Sequence, residues 1–145
     1  FLMTNMIPQA PNNNRQTWAH LEDYERDLVA QGKELYVIAG GYNKGGTGSA
    51  GYLEVVNGYI TVPERTWKVI LVLDKGDNDI SRINTLTRTI AVDMPNAQTI
   101  NTSDWSIYRV SIDSIESKTG YDFFSNLDSS IQSQIESTVD SQIIP

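Results

Sequence analysis

The pattern of apolar and polar residues predicts one long helix near the start of the chain, over residues 17–31. Its apolar residues recur at helical spacing and share one face: Trp18, Leu21, Leu28 and Val29. Acidic residues come early in this segment, where the helix dipole favours negative charge, and Gly32 is a typical residue to end it. Residues 1–16 are rich in proline and asparagine, so we predict that they form an ordered loop.

Stretches rich in β-branched and aromatic residues predict the strands of a sheet. The clearest of them are residues 34–39, 67–73 and 88–94. The first predicts a buried strand, and the second is the strongest strand in the chain. Residues 52–62 are also strand-like, and residues 105–112 predict a short strand that leads into a helix near residues 113–118. Residues 129–143 have the spacing of an amphipathic helix.

These elements predict the fold class and the number of domains. Strands and helices are interspersed without regular β-α-β alternation, so we expect an α+β fold with a mostly antiparallel sheet flanked by helices. At 145 residues and 39% hydrophobic content, the chain has the size and composition of a single domain, residues 1–145. The absence of cysteine excludes disulfides and thiolate metal sites, and no apolar stretch approaches the roughly 20 residues of a membrane span.

A glycine-rich segment separates the first two strand-like runs. Within it, Gly46, Gly48 and Gly51 have the spacing of a dinucleotide-binding fingerprint. That fingerprint has to open a helix, whereas a strand-like run follows here. We therefore exclude a dinucleotide site, and the lack of a Gly-Lys-Ser/Thr triplet excludes a phosphate-binding P-loop.

The net charge of −7 counts against tight binding of nucleic acid, but its distribution weakens that objection. Residues 1–103 carry nine Lys/Arg and eleven Asp/Glu, a balance of −2. Residues 104–145 carry two and seven, a balance of −5. The acidic excess therefore lies in the C-terminal part, away from the candidate site described next.

Four residues spaced four apart form a stripe at the start of the predicted helix: Asn14, Trp18, Glu22 and Arg26. On local grounds alone, Asn14 is a helix N-cap, and Glu22 with Arg26 is a surface ion pair worth under about 0.5 kcal/mol. The alternative is that the same polar side chains form a functional site.

The segments around this stripe resemble a known active-site signature. The matching segments are Asn5-Met6-Ile7-Pro8-Gln9, Asn14-Arg15-Gln16-Thr17-Trp18, Leu21-Glu22 with Arg26, Val62-Pro63 ahead of Trp67-Lys68-Val69-Ile70, and Thr119-Gly120-Tyr121-Asp122-Phe123-Phe124. They span nearly the whole chain in the order found in the sugar-non-specific DNA/RNA endonucleases, the ββα-metal or His-Me finger nucleases. The chain is most similar to the bacterial members of that family.

The resemblance implies a role for each site residue. Asn14 is expected to be the one direct protein ligand of a Mg²⁺ ion, with Mn²⁺ as a substitute, and an amide oxygen is a hard donor that suits this ion. Glu22 is expected to orient a metal-bound water or contact the leaving group. Arg26 is expected to stabilise charge on the phosphate, and Asn5 to support the site through hydrogen bonds. The implied partners are DNA and RNA without base preference and no membrane, and the implied location is secreted or periplasmic.

The general base of that family, a histidine in an Asp-Arg-Gly-His segment upstream of the Asn5 motif, has no counterpart in this sequence. We therefore expect the chain to be the C-terminal part of a nuclease, incomplete at its N-terminus and inactive alone, with the missing segment as a partner. His20 is the single histidine, and helical geometry turns it away from Trp18 and Glu22 towards solvent.

Two other functions remain as alternatives. A truncated descendant of such a nuclease could keep the fold as a non-catalytic binding module. A different hydrolase could use an acidic pair such as Asp77 and Asp79, although these residues lie in an ordinary turn-like cluster. The upstream sequence of the intact protein separates the nuclease from the binding module.

Overall fold

The computed structural model describes residues 6–100, 102 and 104–143. The strands are β1 (Lys33–Tyr42), β2 (Gly46–Gly48), β3 (Gly51–Leu53), β4 (Val55–Val56), β5 (Ile60–Thr61), β6 (Arg65–Asp74), β7 (Arg88–Pro95) and β8 (Arg109–Val110). The helices are α1 (Trp18–Ala30), α2 (Asp79–Arg82), α3 (Ile112–Thr119) and α4 (Ser129–Ser137), with a π-helical turn over Asn13–Thr17 and a 3₁₀ turn over Trp105–Tyr108. No described helix is long and apolar enough to cross a membrane.

One antiparallel sheet in the order β1-β6-β7-β8 forms the centre of the molecule, and the predicted α+β class is confirmed. On one face of the sheet, Ile70 and Val72 of β6 pack against α1. On the other face, Val69 packs against α3, and Leu71 packs against Ile135 of α4. The middle of β6 is therefore buried on both sides, which explains why its sequence is a nearly continuous apolar run.

The apolar face of α1 differs from the prediction at one position. Trp18, Leu21 and Leu28 are buried as expected, but the fourth core residue is Tyr24, and Val29 is 55% exposed. Val29 lies one residue, or about 100°, beyond Leu28 on the helix, which turns its side chain away from the buried face.

Strand β1 is an edge strand and not the buried strand that its composition predicted. Among the described strands it pairs only with β6, from Lys33 with Asp74 to Tyr42 with Arg65. Tyr36, Val37 and Ile38 are each more than 40% exposed, because neither face of this strand is fully covered. The content of β-branched residues thus predicted the strand but not its burial.

Two other segments depart from the prediction. Residues 11–16 are already helical, so the loop predicted for residues 1–16 is wrong at its end. Residues 52–62 are broken into β3, β4 and β5. Asn57 and Gly58 both adopt positive φ angles and reverse the chain between β4 and β5. The glycine segment forms the β2–β3 hairpin and opens no helix, which confirms the exclusion of a dinucleotide fingerprint.

The C-terminal part follows the prediction only partly. Helix α3 is present as expected. The strand predicted over residues 105–112 is instead a 3₁₀ turn, the short β8 and the start of α3, and α4 ends at Ser137 rather than at residue 143. Beyond α4, the buried Asp140 accepts two hydrogen bonds of 2.9 Å from Arg88 and one of 3.1 Å from Arg109. Burial raises the pKa of Asp140, but the bonds to Arg88 and Arg109 outweigh it and leave this pKa lowered.

A buried carboxylic acid lies between α3 and α4. Glu136 is 4% exposed, and its Oε1 accepts only a long hydrogen bond of 3.3 Å from Gln132 among the described residues. Burial, and then the nearby negative charge of Glu116, raise the pKa of Glu136 to about 7. The side chain therefore takes up a proton on folding near neutral pH.

This shift predicts that the stability of the chain falls as pH rises. Because the folded state holds the Glu136 proton more tightly than the unfolded state, its contribution is fully present below pH 4.5 and is lost as pH rises through about 7. The loss is at most about 3 kcal/mol. Denaturant unfolding at pH 5 and pH 8 measures it, and Glu136→Gln should remove most of the difference. An equal pH dependence in both proteins would contradict the assignment.

The exposed apolar side chains of β1 predict a second property. In isolation, the 145-residue chain should be marginally stable and should bind a dye that reports exposed apolar surface. Replacing both Val37 and Ile38 by threonine keeps the strand propensity and should reduce dye binding. A sharp cooperative unfolding transition without dye binding by the unmodified chain would argue against this expectation.

Candidate functional site

A groove of about 410 Å³ runs between the N-terminal segment, the start of α1 and the edge of the sheet. Its lining includes Gln9, Asn14, Trp18, Glu22, Glu25 and Lys68. We call it the α1 groove. Two of the predicted site residues, Asn14 and Glu22, therefore line one surface, as the stripe on the helix predicted.

Asn14 lies in the π-helical turn, with its backbone N–H donating to the carbonyl of Ala10 at 3.0 Å. Its side chain is exposed and makes no hydrogen bond to any residue that the structure describes. The N-cap interpretation is wrong, because helical hydrogen bonding starts before Asn14, and the cap position of this turn is Asn12. The amide of Asn14 is thus free to bind a ligand from the groove.

The π-helical turn places Asn14 relative to the rest of α1. The N–H of Trp18 donates to the carbonyl of Asn13, five residues back, so the turn holds one more residue than an α-helical turn. This wide turn runs directly into α1, and Asn14, Trp18 and Glu22 all line the same groove. Turns of this kind are frequent at functional sites.

Glu22 is held by one oxygen only. Its Oε1 accepts a hydrogen bond of 2.9 Å from the indole Nε1–H of Trp18 and lies 3.8 Å from the Nζ of Lys68. Its Oε2 has no hydrogen-bond partner within the described ranges, and the side chain is 43% exposed. Glu22 therefore combines a fixed position with a free acceptor atom.

Arg26 lies outside the α1 groove, beside a neighbouring depression that it shares with Glu22 and Glu25. The predicted ion pair between Glu22 and Arg26 is not formed, because Arg26 pairs with Asp23 instead. This pair is exposed on both sides, and such pairs contribute little to stability. The guanidinium group can therefore exchange Asp23 for another anion at small cost.

The remaining predicted positions have mixed outcomes. Asn5 lies outside the described residues. His20 is exposed, as predicted, and does not line the groove. Asp79, of the alternative acidic pair, accepts hydrogen bonds from Tyr36 and Arg82, so its carboxylate is already occupied.

Two residues of the groove were not predicted as site residues: Lys68 and Glu25. Lys68 of β6 is 3% exposed, and its Nζ donates to Glu25 at 2.7 Å and lies 4.4 Å from the centre of the Trp18 ring. A lysine in the middle of a buried strand has to be paired, because an isolated charge there is very costly. The lysine in the apolar β6 run was the signal that could have identified it.

The oxygen donors of the groove fit a hard divalent cation. Asn14 offers a free amide oxygen and Glu22 a free carboxylate oxygen, which are donor types that Mg²⁺ prefers. A close group of three carboxylates, Asp113, Glu116 and Glu136, does occur within the described part of the chain. This carboxylate group lies at α3 and α4, across the sheet from α1. A search for clustered carboxylates would therefore find this group and miss the α1 groove.

Comparison with known proteins identifies the family. The profile of the DNA/RNA non-specific endonucleases matches residues 1–130. The chain is 52% identical over 140 residues to a nuclease of Nostoc sp. (strain PCC 7120 / SAG 25.82 / UTEX 2576), covering 97% of this chain and 48% of the relative. It therefore belongs to the DNA/RNA non-specific endonuclease family.

More distant relatives match over the same region. A nuclease of Serratia marcescens is 27% identical, covering 93% of this chain and 47% of the relative. Human mitochondrial endonuclease G is 30% identical, covering 88% of this chain and 42% of the relative. The chain thus spans about half the length of these relatives.

A solved structure supports the fold. The crystal structure of the EndoG/EndoGI complex matches with a TM-score of 0.61 and 23% identity, over 86% of this chain and 50% of that one. The described sheet and helices therefore share the fold of the matched part of that structure.

Proposed function

We propose that this chain is the metal-binding part of a Mg²⁺-dependent endonuclease that hydrolyses DNA and RNA without preference for sugar or base, with Mn²⁺ able to replace Mg²⁺. The observation that carries the proposal is that Asn14 and Glu22 line one groove of a family member, where the Asn14 amide and the Glu22 Oε2 have no hydrogen-bond partner among the described residues. Relatives that bear the name nuclease support it.

Each side chain has a distinct part in this proposal. Asn14 would hold the cation through its amide oxygen. A bound Mg²⁺ would supply positive charge to neutralise the phosphate and stabilise the leaving oxygen. Glu22 accepts a hydrogen bond from water or contacts the leaving group through Oε2, while Trp18 fixes its other oxygen. Arg26 exchanges Asp23 for the phosphate, whose oxygens match the planar donor fork of a guanidinium group.

The general base would come from outside this chain. The sequence contains one histidine, and His20 is exposed and away from the groove. The relatives are about twice as long as the region that matches, which leaves room for a histidine segment that completes the site. That segment is the proposed partner, and a secreted or periplasmic location stays a prediction.

The substrate range follows from the kind of contact that the α1 groove and the neighbouring Arg26 offer. A cation and a guanidinium group bind phosphate oxygens, which are the same in every nucleotide. In this proposal, Asn14 through its cation and Arg26 directly would contact the phosphate backbone rather than the bases or sugars. This supports DNA and RNA as substrates of the proposed enzyme.

The first test uses the chain by itself. Incubated with plasmid DNA and Mg²⁺, the purified 145-residue chain should show no cleavage, because it lacks a histidine positioned as a base. A mock purification controls for contaminating nuclease. Metal-dependent degradation that appears only with the chain would show that the base does not lie upstream.

The second test compares three variants in the intact protein. Asn14→Ala removes the proposed metal ligand and should lower the cleavage rate roughly 100-fold or more, with partial rescue by added Mg²⁺. Arg26→Lys should also lower the rate, because lysine cannot reproduce the guanidinium fork, and extra metal should not rescue it. His20→Ala should change the rate little, since this side chain faces solvent.

Rates measured across a Mg²⁺ titration, at matched thermal stability, distinguish these outcomes. If Asn14→Ala cleaves as fast as the parent at every Mg²⁺ concentration, Asn14 is not the ligand. If His20→Ala is the most damaging variant, the assignment of the site to this face of α1 is wrong. An intact protein that binds nucleic acid without cutting it would favour the non-catalytic binding module.

A further inference from the structure

Lys68 is the one cation among the described residues that line the α1 groove, and it lies close to three side chains of helix α1. Its Nζ lies 2.7 Å from Glu25, 3.8 Å from Glu22 and 4.4 Å from the centre of the Trp18 ring. The residue is 3% exposed, because β6 is an inner strand of the sheet and this side chain points towards α1. The ammonium group of Lys68 therefore interacts with three side chains on the same side of α1: Trp18, Glu22 and Glu25.

The two carboxylates share this cation unequally. Glu25 is 16% exposed and forms the short bond to Lys68, whereas Glu22 is 43% exposed and stands beyond hydrogen-bond distance. The indole N–H of Trp18 supplies the missing bond to Glu22 at 2.9 Å. Glu25 is therefore the counter-ion of Lys68, and Glu22 is held through Trp18 by one oxygen.

We infer that Lys68 is a positioning residue, which holds Trp18 and Glu22 in place so that the Oε2 of Glu22 stays free in the α1 groove. The cation lies against the face of the Trp18 ring, where the electrons of the ring attract it. The same cation attracts Oε1, the oxygen that Trp18 binds. Both contacts fix the Trp18–Glu22 hydrogen bond. The catalytic meaning of this arrangement rests on the proposed function.

The charge of Lys68 also suits a groove that binds phosphate. Glu22 and Glu25 would place two negative charges beside the substrate, and like charges at close range repel. The buried Lys68 compensates one of these two negative charges, that of Glu25. The free oxygen of Glu22 thereby remains available while the local charge is reduced.

The competing explanation is purely structural: Lys68 pairs with Glu25 to join β6 to α1, and Glu22 would keep its position without it. Replacing the lysine alone cannot separate the two, because it would leave Glu25 buried without a cation. Lys68→Met combined with Glu25→Gln removes both charges together and so leaves neither of them buried and unpaired. Lys68→Gln with Glu25→Gln is made in parallel, so that the test does not depend on one pair folding.

The experiment measures hydrogen exchange of the indole N–H groups by NMR in the intact protein, with the Trp18 signal assigned by its loss in Trp18→Phe. Exchange at Trp18 should be about tenfold faster in the double variants, because the bond to Glu22 is weakened. Glu25→Gln alone keeps the lysine and should keep slow exchange. The indole N–H of Trp67, buried and without a partner among the described residues, is the internal control for global opening.

Slow Trp18 exchange in both double variants, at unchanged Trp67 exchange, would overturn the inference and leave Lys68 a structural counter-ion. Cleavage rates test the link to function. If Lys68 acts through Glu22, the double substitution should lower kcat with little change in KM and should cause no further loss when added to Glu22→Gln. If Glu22→Gln itself cleaves normally, the proposed role of Glu22 fails, whereas the exchange data still decide the role of Lys68.

Discussion

The burial of β6 on both faces is the constraint on which the rest of the structure depends. Eight consecutive residues, 66–73, are buried, so one helix has to cover one face and two helices the other. Lys68 is the one charged residue in this run, and a charge there is tolerated only when it is paired. The position of this lysine therefore dictates where the acidic residues of α1 must lie. Core and candidate site are fixed by the same strand.

The elements that could be predicted are those whose signal is local and strong. Strands β6 and β7 and helix α1 follow from apolar runs and helical spacing in their own segments. The errors arise where distant residues decide. The exposure of β1 depends on which strands pair with it. The chain leaves the helical path after α4, and there Asp140 pairs with the distant Arg88. The break between β4 and β5 was a local signal, Asn57-Gly58, that the strand-like composition obscured.

Two residues of the α1 groove could be predicted from the sequence, but the contacts that hold them could not. The resemblance named Asn14 and Glu22, and the structure brings both to one groove. Spacing alone also suggested that Glu22 pairs with Arg26, yet the acidic neighbour Asp23 is the partner of Arg26. The pairing of Lys68 with Glu25 spans 43 positions of sequence, and no periodicity within either segment contains that information.

The π-helical turn over Asn13–Thr17 makes the length of this segment part of the site. An ordinary α-helix closes each turn with one residue fewer, so deleting one residue here would leave the helix continuous and its composition almost unchanged. The extra residue is absorbed within this one turn, so after its deletion the residues on either side would keep nearly the same relative orientation. Inside the turn the side chains would change direction, and Asn14 lies inside it. An alignment or design that places a gap in this segment would therefore keep the helix and alter the one turn that carries the residue proposed as the metal ligand.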